Sequence, residues 1–546
     1  MENANHHLHK EPPSRVIAFT PKSLSVLKEG YSLERFGKDI IAGITVAAVA
    51  IPLSMAIAKA SGASPDRGLI TAIVGGFLIS LLGGSRFQIG GPAGAFIVVV
   101  ASIIERQGFD GLLLATLMAG IFMMAMGAFR LGTYIKYIPH PVLVGFTTGI
   151  ATIIFSSQIV DLSGLTLDGR EPAALIPKLK AIWAAIGTLN IQAVMVSGLS
   201  LAVILIMRRF RPQWPGLLIA IALASIVVAL IGHSGGFAVE TIGTRFGGIP
   251  DHLSPPVLPD WSLQKMQALL PDALTIAFLG AIESLLSAVV ADGMTGRRHR
   301  SNMELVAQGI ANIGTALFGG ICATGTIART ATNVRAGGTS PVAGMVHSVV
   351  LLLLILFAAP LASYIPLASL AAILALVSWN MAERDEFIAI IRRSRSDAVI
   401  LLATFLLTIF RDLTEGIAAG VVLAAFIFMH RMTGIVSANE VATDESEPDQ
   451  EQSPDTIVYR IEGPFFFGVA SEIAEVFEQI GRQPKRIILD LSAMPFCDGT
   501  AARALKDVVD RFKLLGVNVT LRGPHPSVKS VLIAVGISER LVVERP

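Results

Sequence analysis

Apolar runs long enough to cross a hydrocarbon core of about 30 Å, which takes roughly 20 residues, recur along most of the chain. They lie at 39–59, 68–84, 111–129, 141–160, 191–207, 216–232, 272–291, 303–319, 342–359, 366–381, 397–410 and 413–430. Two further segments, about 91–104 and 326–337, are too short or too polar to cross unaided. Each reads as part of a broken span, so the expected total is fourteen. Cytoplasmic loops collect Lys and Arg. With the N-terminus inside, the loops after even-numbered spans carry the strongest basic clusters: Arg130 with Lys136, Arg208 to Arg211, Arg297 to Arg300, and Arg392 to Arg395. An even total places the C-terminus inside as well.

The texture changes near residue 433. Residues 1–36 read as a polar cytosolic tail, 37–433 as the membrane domain, and 434–455, acidic and poor in apolar residues, as a linker. Beyond it, TIVYRIEGPFFF, RIILDLS and VNVTLRG read as strands, while ASEIAEVFEQIG and GTAARALKDVVDRFKLLG read as helices. Strands alternating with helices over 456–546 predict a small α/β domain.

Composition agrees. Of 546 residues, 53% are hydrophobic and 15% charged, against about 25% charged in soluble proteins. A net charge of +2 gives no reason to expect a nucleic-acid partner. Two cysteines, Cys322 and Cys497, lie in different regions and form no disulfide framework or thiolate metal site. The cluster His6-His7-Leu8-His9 reads as chance histidines on the tail. Neither metal nor cofactor is expected. The chain has no Walker motif, nucleophile elbow or zinc-ligand cluster, so an enzyme is not expected.

The stretch GGICATGTIARTATNVRAGGTS, 319–340, holds two arginines between apolar spans. Such polarity is costly in lipid unless buried in protein or lining a wet cavity. It has a counterpart in SRFQIGGPAGAFIVVV, where Gly90-Gly91-Pro92 breaks the chain before Ala93, Gly94 and Ala95. Broken spans at corresponding places in two halves point to a transporter site between inverted repeats. Two helix N-termini there would present free N–H groups and positive dipole ends to an anion. The expected ligands are backbone N–H groups at Ala93, Gly94, Ala95, Ile327, Ala328 and Arg329, with Thr326 and Gln88 alongside and the Arg329 charge behind them. Close packing through glycine and a snorkelling Arg329 are the alternatives.

These residues resemble the SulP family, solute carrier family 26. The resemblance rests on DIIAGITVAAVAIPLSMAIA, GGSRFQIGGPAGA, YIPHPVLVGFTTGI, LGAIESLLSAVVADGMTG, TGTIARTATNVRAGG and a C-terminal domain similar to STAS modules. The wording of the eighth and tenth spans resembles the bacterial DauA-type branch, linked to four-carbon dicarboxylates. The family implies a polytopic α-helical membrane protein of fourteen spans in two inverted repeats of seven, UraA-like, plus a cytosolic α/β STAS domain. Spans 1–4 and 8–11 would form a core moving against a gate of spans 5–7 and 12–14, in a homodimer in a bacterial inner membrane. Two departures stand out. DRGLITA, 66–72, replaces the tyrosine-rich YGLY stretch of many relatives, and Gly-Pro-Ala-Gly at 91–94 replaces Gly-Pro-Thr-Ala, removing one hydroxyl.

Glu283 sits mid-span in IAFLGAIESLLSAVV, at the family position for an acidic residue, and is the expected proton-coupling group. A structural carboxylate paired to Arg329 is the alternative. Ser284 and Ser287 are candidate substrate or ion ligands, although such hydroxyls more often bond back to their own helix. Ala47 and Ile51 lie on the small-residue first span, and His347 reads as packed and hydrogen-bonded. In MPFCDGTAARAL, Asp498 and Thr500 fall where bacterial anti-sigma antagonists carry a regulatory phosphoserine; one of them as helix N-cap is the expected role. The expected activity is proton-coupled, elevator-like import of sulfate or a four-carbon dicarboxylate such as succinate or fumarate. An uncoupled exchanger or channel, a sodium-coupled bicarbonate transporter, and a sensor binding a cytosolic partner through STAS remain open.

Overall fold

The computed structural model describes residues 19–133, 138–169, 171–172, 174–211, 214–232, 239–411, 413–434, 436–440, 455–469 and 484–543. The histidine cluster, most of the acidic stretch and the helix expected over 470–481 lie outside them. The chain divides into two compact units, 1–421 and 422–546.

The first unit is helical. Its elements begin with α1 (Lys22–Lys28), α2 (Leu33–Ala60), α3 (Pro65–Leu82), a two-residue strand β1 (Gly90–Gly91) and α4 (Gly94–Ala128). Then come α5 (His140–Ser163), α6 (Leu175–Ala184), α7 (Ile191–Phe210), α8 (Gly216–Gly232), α9 (Leu263–Thr295) and α10 (Ser301–Leu317). A second short strand, β2 (Thr324–Gly325), leads into α11 (Ile327–Arg335), α12 (Val342–Ala362), α13 (Leu367–Met381), α14 (Arg384–Arg393), α15 (Arg395–Phe410) and α16 (Leu413–Thr433), whose residues from Val422 on belong to the second unit. Eight of the described helices are long and apolar enough to cross a membrane on their own. The segments expected separately at 91–104 and 111–129 are two helical stretches that meet at a kink at Gly108, a residue with φ +73° and non-helical backbone, and together they make up α4. Only glycine takes that conformation without strain.

Small residues let these helices approach until backbones touch. A β-carbon on Gly120 of α4 would meet Gly309 O of α10 at 2.6 Å, and Gly309 in turn faces Gly120 O. Gly43 of α2 packs on Ala343 O of α12, and Gly145 of α5 on Leu401 O of α15. Helices in lipid associate through such close contacts because apolar burial alone offers no advantage there. Two groups result: α2, α3, α4 and α9 to α12 pack together, and α5, α7, α13 and α15 pack together. Asp39, fully buried on α2, ties the first group at one end. It accepts from the backbone N–H of Thr339 (2.5 Å) and Ser340 (3.2 Å) and from the Tyr31 hydroxyl (2.7 Å).

The second unit holds a five-stranded sheet in the order β3 (Ser437–Glu440), β4 (Thr456–Glu462), β5 (Arg486–Asp490), β6 (Asn518–Arg522) and β7 (Val542–Val543). β3 runs antiparallel to β4, and the rest are parallel. The sheet therefore begins at Ser437, inside the stretch read from sequence as a linker. Helices α17 (Gly499–Leu514) and α18 (Pro526–Ala534) close a core around Ile461, Leu489, Leu505, Leu521 and Leu532. Asp498 is the N-cap of α17: it accepts from Ala501 N (2.8 Å) and also from Phe467 N (2.9 Å). Thr500 stands exposed in the first turn.

Candidate functional site

The two chain breaks meet. β1 and β2 pair antiparallel, Gly90 opposite Gly325 and Gly91 opposite Thr324. Ile89 O accepts both the backbone N–H (3.0 Å) and the hydroxyl (3.2 Å) of Thr326. Because the strands are antiparallel, α4 and α11 leave this ribbon in opposite directions, and their N-termini lie at its two sides. Ala93 and Thr326 are both extended, and helical geometry begins at the next residue in each case. The first N–H groups of a helix have no acceptor within it. Gly94 and Ala95 on one side, with Ile327, Ala328 and Arg329 on the other, therefore offer donors and positive dipole ends in one small region.

Exposure shows which way this region opens. Ile327 and Ala328 are exposed, Gly94 is half-buried, and Ala93, Ala95 and Thr326 are buried. A β-carbon on Gly94 would meet Ile154 of α5 at 3.4 Å and Met381 of α13 at 3.9 Å. The N-terminus of α4 thus faces the other helical group.

Arg329 is 0% exposed. Its Nη2 donates to Ser54 Oγ of α2 (3.0 Å) and toward Pro92 O (3.5 Å). Its Nε and Nη1 have no hydrogen-bond partner among the described residues, and no carboxylate lies within ion-pair distance. The guanidinium sits behind the ribbon, where Gly91 leaves room for it: a β-carbon there would overlap Nη1. An unpaired buried cation is costly, and an anion at the half-helix ends would offset that cost.

Glu283 is partly exposed on α9 and forms no ion pair with Arg329. The alternative reading of Glu283, as a structural carboxylate paired to Arg329, is not met among the described residues, because the guanidinium turns toward Ser54 of α2 instead. Ser284 and Ser287, one and four residues on, are fully buried and do not bond back to α9. Gln88 donates to Ser284 Oγ (2.8 Å) and to Ser284 O (3.1 Å). Ser287 donates to Thr330 Oγ1 (3.1 Å), which also accepts from Ile89 N (3.1 Å). Both hydroxyls hold the ribbon from α9. Ala47 and Ile51 are buried on α2, and His347 is fully buried on α12. It is packed on all sides, as expected.

Several supporting residues escaped the sequence reading. Arg67 donates to Gly319 O (3.0 Å), and Thr71 Oγ1 accepts from Ile321 N (2.7 Å). Both lie in the DRGLITA stretch, which therefore anchors the second break. On α10, Glu304, Gln308 and Asn312 line one buried face at intervals of four residues. That polar stripe inside an apolar span was the signal that would have revealed them.

Residues 36–404 match the sulfate permease family, and 447–545 match the STAS domain. The "Putative sulfate transporter YvdB" of Bacillus subtilis is 43% identical over 516 residues, covering 94% of this chain and 96% of that one. The "Bicarbonate transporter BicA" of Picosynechococcus is 30% identical, covering 86% of each. Among solved structures, the transmembrane domain of a cyanobacterial BicA superposes with a TM-score of 0.63 at 30% identity, over 71% of this chain and 98% of that one. The murine Slc26a9 anion transporter superposes with a TM-score of 0.86 over 100% of this chain and 95% of that one, at 18% identity, a likeness of fold. With its half-helix ribbon, its apolar helices and its parallel-sheet C-terminal unit, the chain belongs to the sulfate permease family of multi-pass membrane transporters, which are not enzymes, and carries a STAS domain.

Proposed function

We propose that this protein is a secondary active transporter of sulfate, held at the paired N-termini of α4 and α11. The observation that carries the reading is the antiparallel ribbon Gly90–Gly91 with Thr324–Gly325, which brings two helix N-termini together beside the unpaired Arg329. Backbone N–H groups at Gly94, Ala95, Ile327 and Ala328 would bind the oxyanion directly. Arg329 would act through the ribbon as a fixed positive charge, less screened in a buried site than in water. Sulfate is favoured over a four-carbon dicarboxylate because the relatives are named for sulfate or bicarbonate. Bicarbonate is the second reading, favoured by the BicA likeness.

Movement of the group α2 to α4 with α9 to α12 against the group containing α5, α7, α13 and α15 would carry the site across, in the manner of an elevator. On this account the shorter helices complete a set of fourteen spans. Both termini and the STAS domain face the cytoplasm of a bacterial inner membrane, and the protein is a homodimer. Glu283 is the proton-coupling group: it is a carboxylate on α9 beside the Ser284 anchor, with no cation in ion-pair range among the described residues. Uptake of labelled sulfate, bicarbonate and succinate into proteoliposomes, each with and without a proton or sodium gradient, tests the proposal. Proton-driven accumulation of sulfate is expected. Movement of none of the three under any gradient would refute transport by this site.

A further inference from the structure

Helix α10 contributes no residue to the half-helix ends, yet its polar face reaches the approach to both breaks. Glu304, in its first turn, is 0% exposed. Its Oε2 accepts from Gly84 N (2.8 Å) and Ser85 N (3.1 Å), in the loop that leads into β1. Its Oε1 accepts from Gln308 Nε2 (3.0 Å) and from the Ser284 hydroxyl (3.4 Å). Two turns further along α10, Asn312 bonds both backbone groups of Ala323, just ahead of β2: Oδ1 accepts from Ala323 N (2.9 Å) and Nδ2 donates to Ala323 O (2.8 Å). One helix face therefore spans the entries to both strands of the ribbon.

The bonds of Glu304 have a direction. Every partner of its carboxylate is a donor, as an acceptor-only group requires. The Ser284 hydroxyl has a single proton. Spent on Glu304, it leaves the oxygen's lone pairs to accept from Gln88 Nε2. The second Gln88 bond, to the Ser284 carbonyl, can only be donated by the amide NH₂, so the orientation of the amide is fixed. Gln88 in turn lies flat against β2, in space that any side chain at position 325 would occupy. Carboxylate, hydroxyl, amide and ribbon thus form a single chain of contacts from α10 to the half-helix ends.

We infer that Glu304 is a positioning residue for anion binding, acting through Ser284 and Gln88, with Asn312 holding the second break from the same helix face. This rests on the transport reading above and names residues that set the geometry of its site. Geometry errors of about 1 Å at a binding site are enough to weaken it strongly.

A double-mutant cycle tests the inference. Sulfate uptake is measured in proteoliposomes for wild type, Glu304→Gln, Ser284→Ala and the double variant. KM and maximal rate are read for each, alongside thermal stability in detergent. Each single change is expected to raise KM about five-fold with maximal rate little altered. The double variant is expected to be no worse than the poorer single, because both cut the same link. KM values that multiply, or KM unchanged while stability falls, overturn the inference and leave Glu304 as a support of the fold alone. Glu304→Asp, which keeps the charge but draws it back from Ser284, serves if the Gln variant does not fold, with the same expected direction. A wild type that moves no sulfate sinks the transport reading instead, so the two failures are separable.

Discussion

Gly91 and Arg329 share one space: the guanidinium lies where a β-carbon at position 91 would stand. The pair links the two breaks, since Gly91 belongs to β1 and Arg329 to the first turn of α11. The φ of Gly91, +157°, is a backbone conformation that L side chains rarely adopt, so strain adds to the contact in excluding a side chain. Gly91→Ala is expected to push the guanidinium off Ser54 and reduce sulfate uptake at least about ten-fold, a loss of roughly 1.4 kcal/mol in transition-state terms. Near-normal uptake by that variant would separate Arg329 from the site.

Glu283 carries the coupling claim. Glu283→Gln keeps shape and hydrogen bonding but cannot exchange a proton. Net uptake driven by a proton gradient is expected to vanish, while exchange of sulfate inside for sulfate outside persists. Loss of both, or of neither, contradicts a coupling role.

At the far ends of α2 and α5, Lys59 pairs with Asp161, and Arg245 Nη1 lies 3.6 Å from the same carboxylate. These residues line a cavity of about 520 Å³ with Lys178, Glu171 and Glu240. The pair joins the two helical groups, so it must open if they move past each other. Asp161→Asn leaves Lys59 buried beside Arg245 and is expected to cost about 3 kcal/mol. Exchanging the charges, Lys59→Asp with Asp161→Lys, is expected to recover most of that loss, as read by thermal unfolding in detergent. Additive losses in the exchanged protein would show that the two side chains do not act as a pair.

In the STAS domain, burial pushes the Cys497 thiol up to about 12, helped by the neighbouring Asp498 carboxylate. An ordinary cysteine lies near 8.5. The raised value means the thiol favours folding fully below about 8.5 and loses that contribution only as pH rises toward 12, so stability should not respond to Cys497 at neutral pH. With Cys322 replaced by Ala, alkylation at pH 8 is expected to be slow in the folded protein and rapid after denaturation. Fast labelling of the native protein contradicts the buried placement.

Much of the site was legible because glycine and arginine are conspicuous inside apolar runs. Gly90 to Pro92 and Gly319 to Gly325 could be matched by position alone. Their antiparallel pairing could not, since a two-residue ribbon is made by the helices around it. The directions of Ser284 and Ser287 were hidden for the same reason: a hydroxyl on a helix bonds to its own backbone unless a donor or acceptor waits opposite, and Gln88 and Thr330 come from distant segments. Glu304, Gln308 and Asn312 were present as a four-residue period, but their span was apolar enough to read as a plain crossing. Strand β3, Ser437–Glu440, shows no apolar alternation, and pairing with β4 is what makes it a strand.

The central claim is that an anion is held by the half-helix ends under the charge of Arg329. Its most direct test is the initial rate of proton-driven sulfate uptake by wild type beside Arg329→Gln, in liposomes containing equal amounts of folded protein. The account predicts accumulation by wild type and a rate at least about ten-fold lower in the variant, since the fixed charge is lost while a polar side chain remains. Equal rates in the two proteins would contradict it.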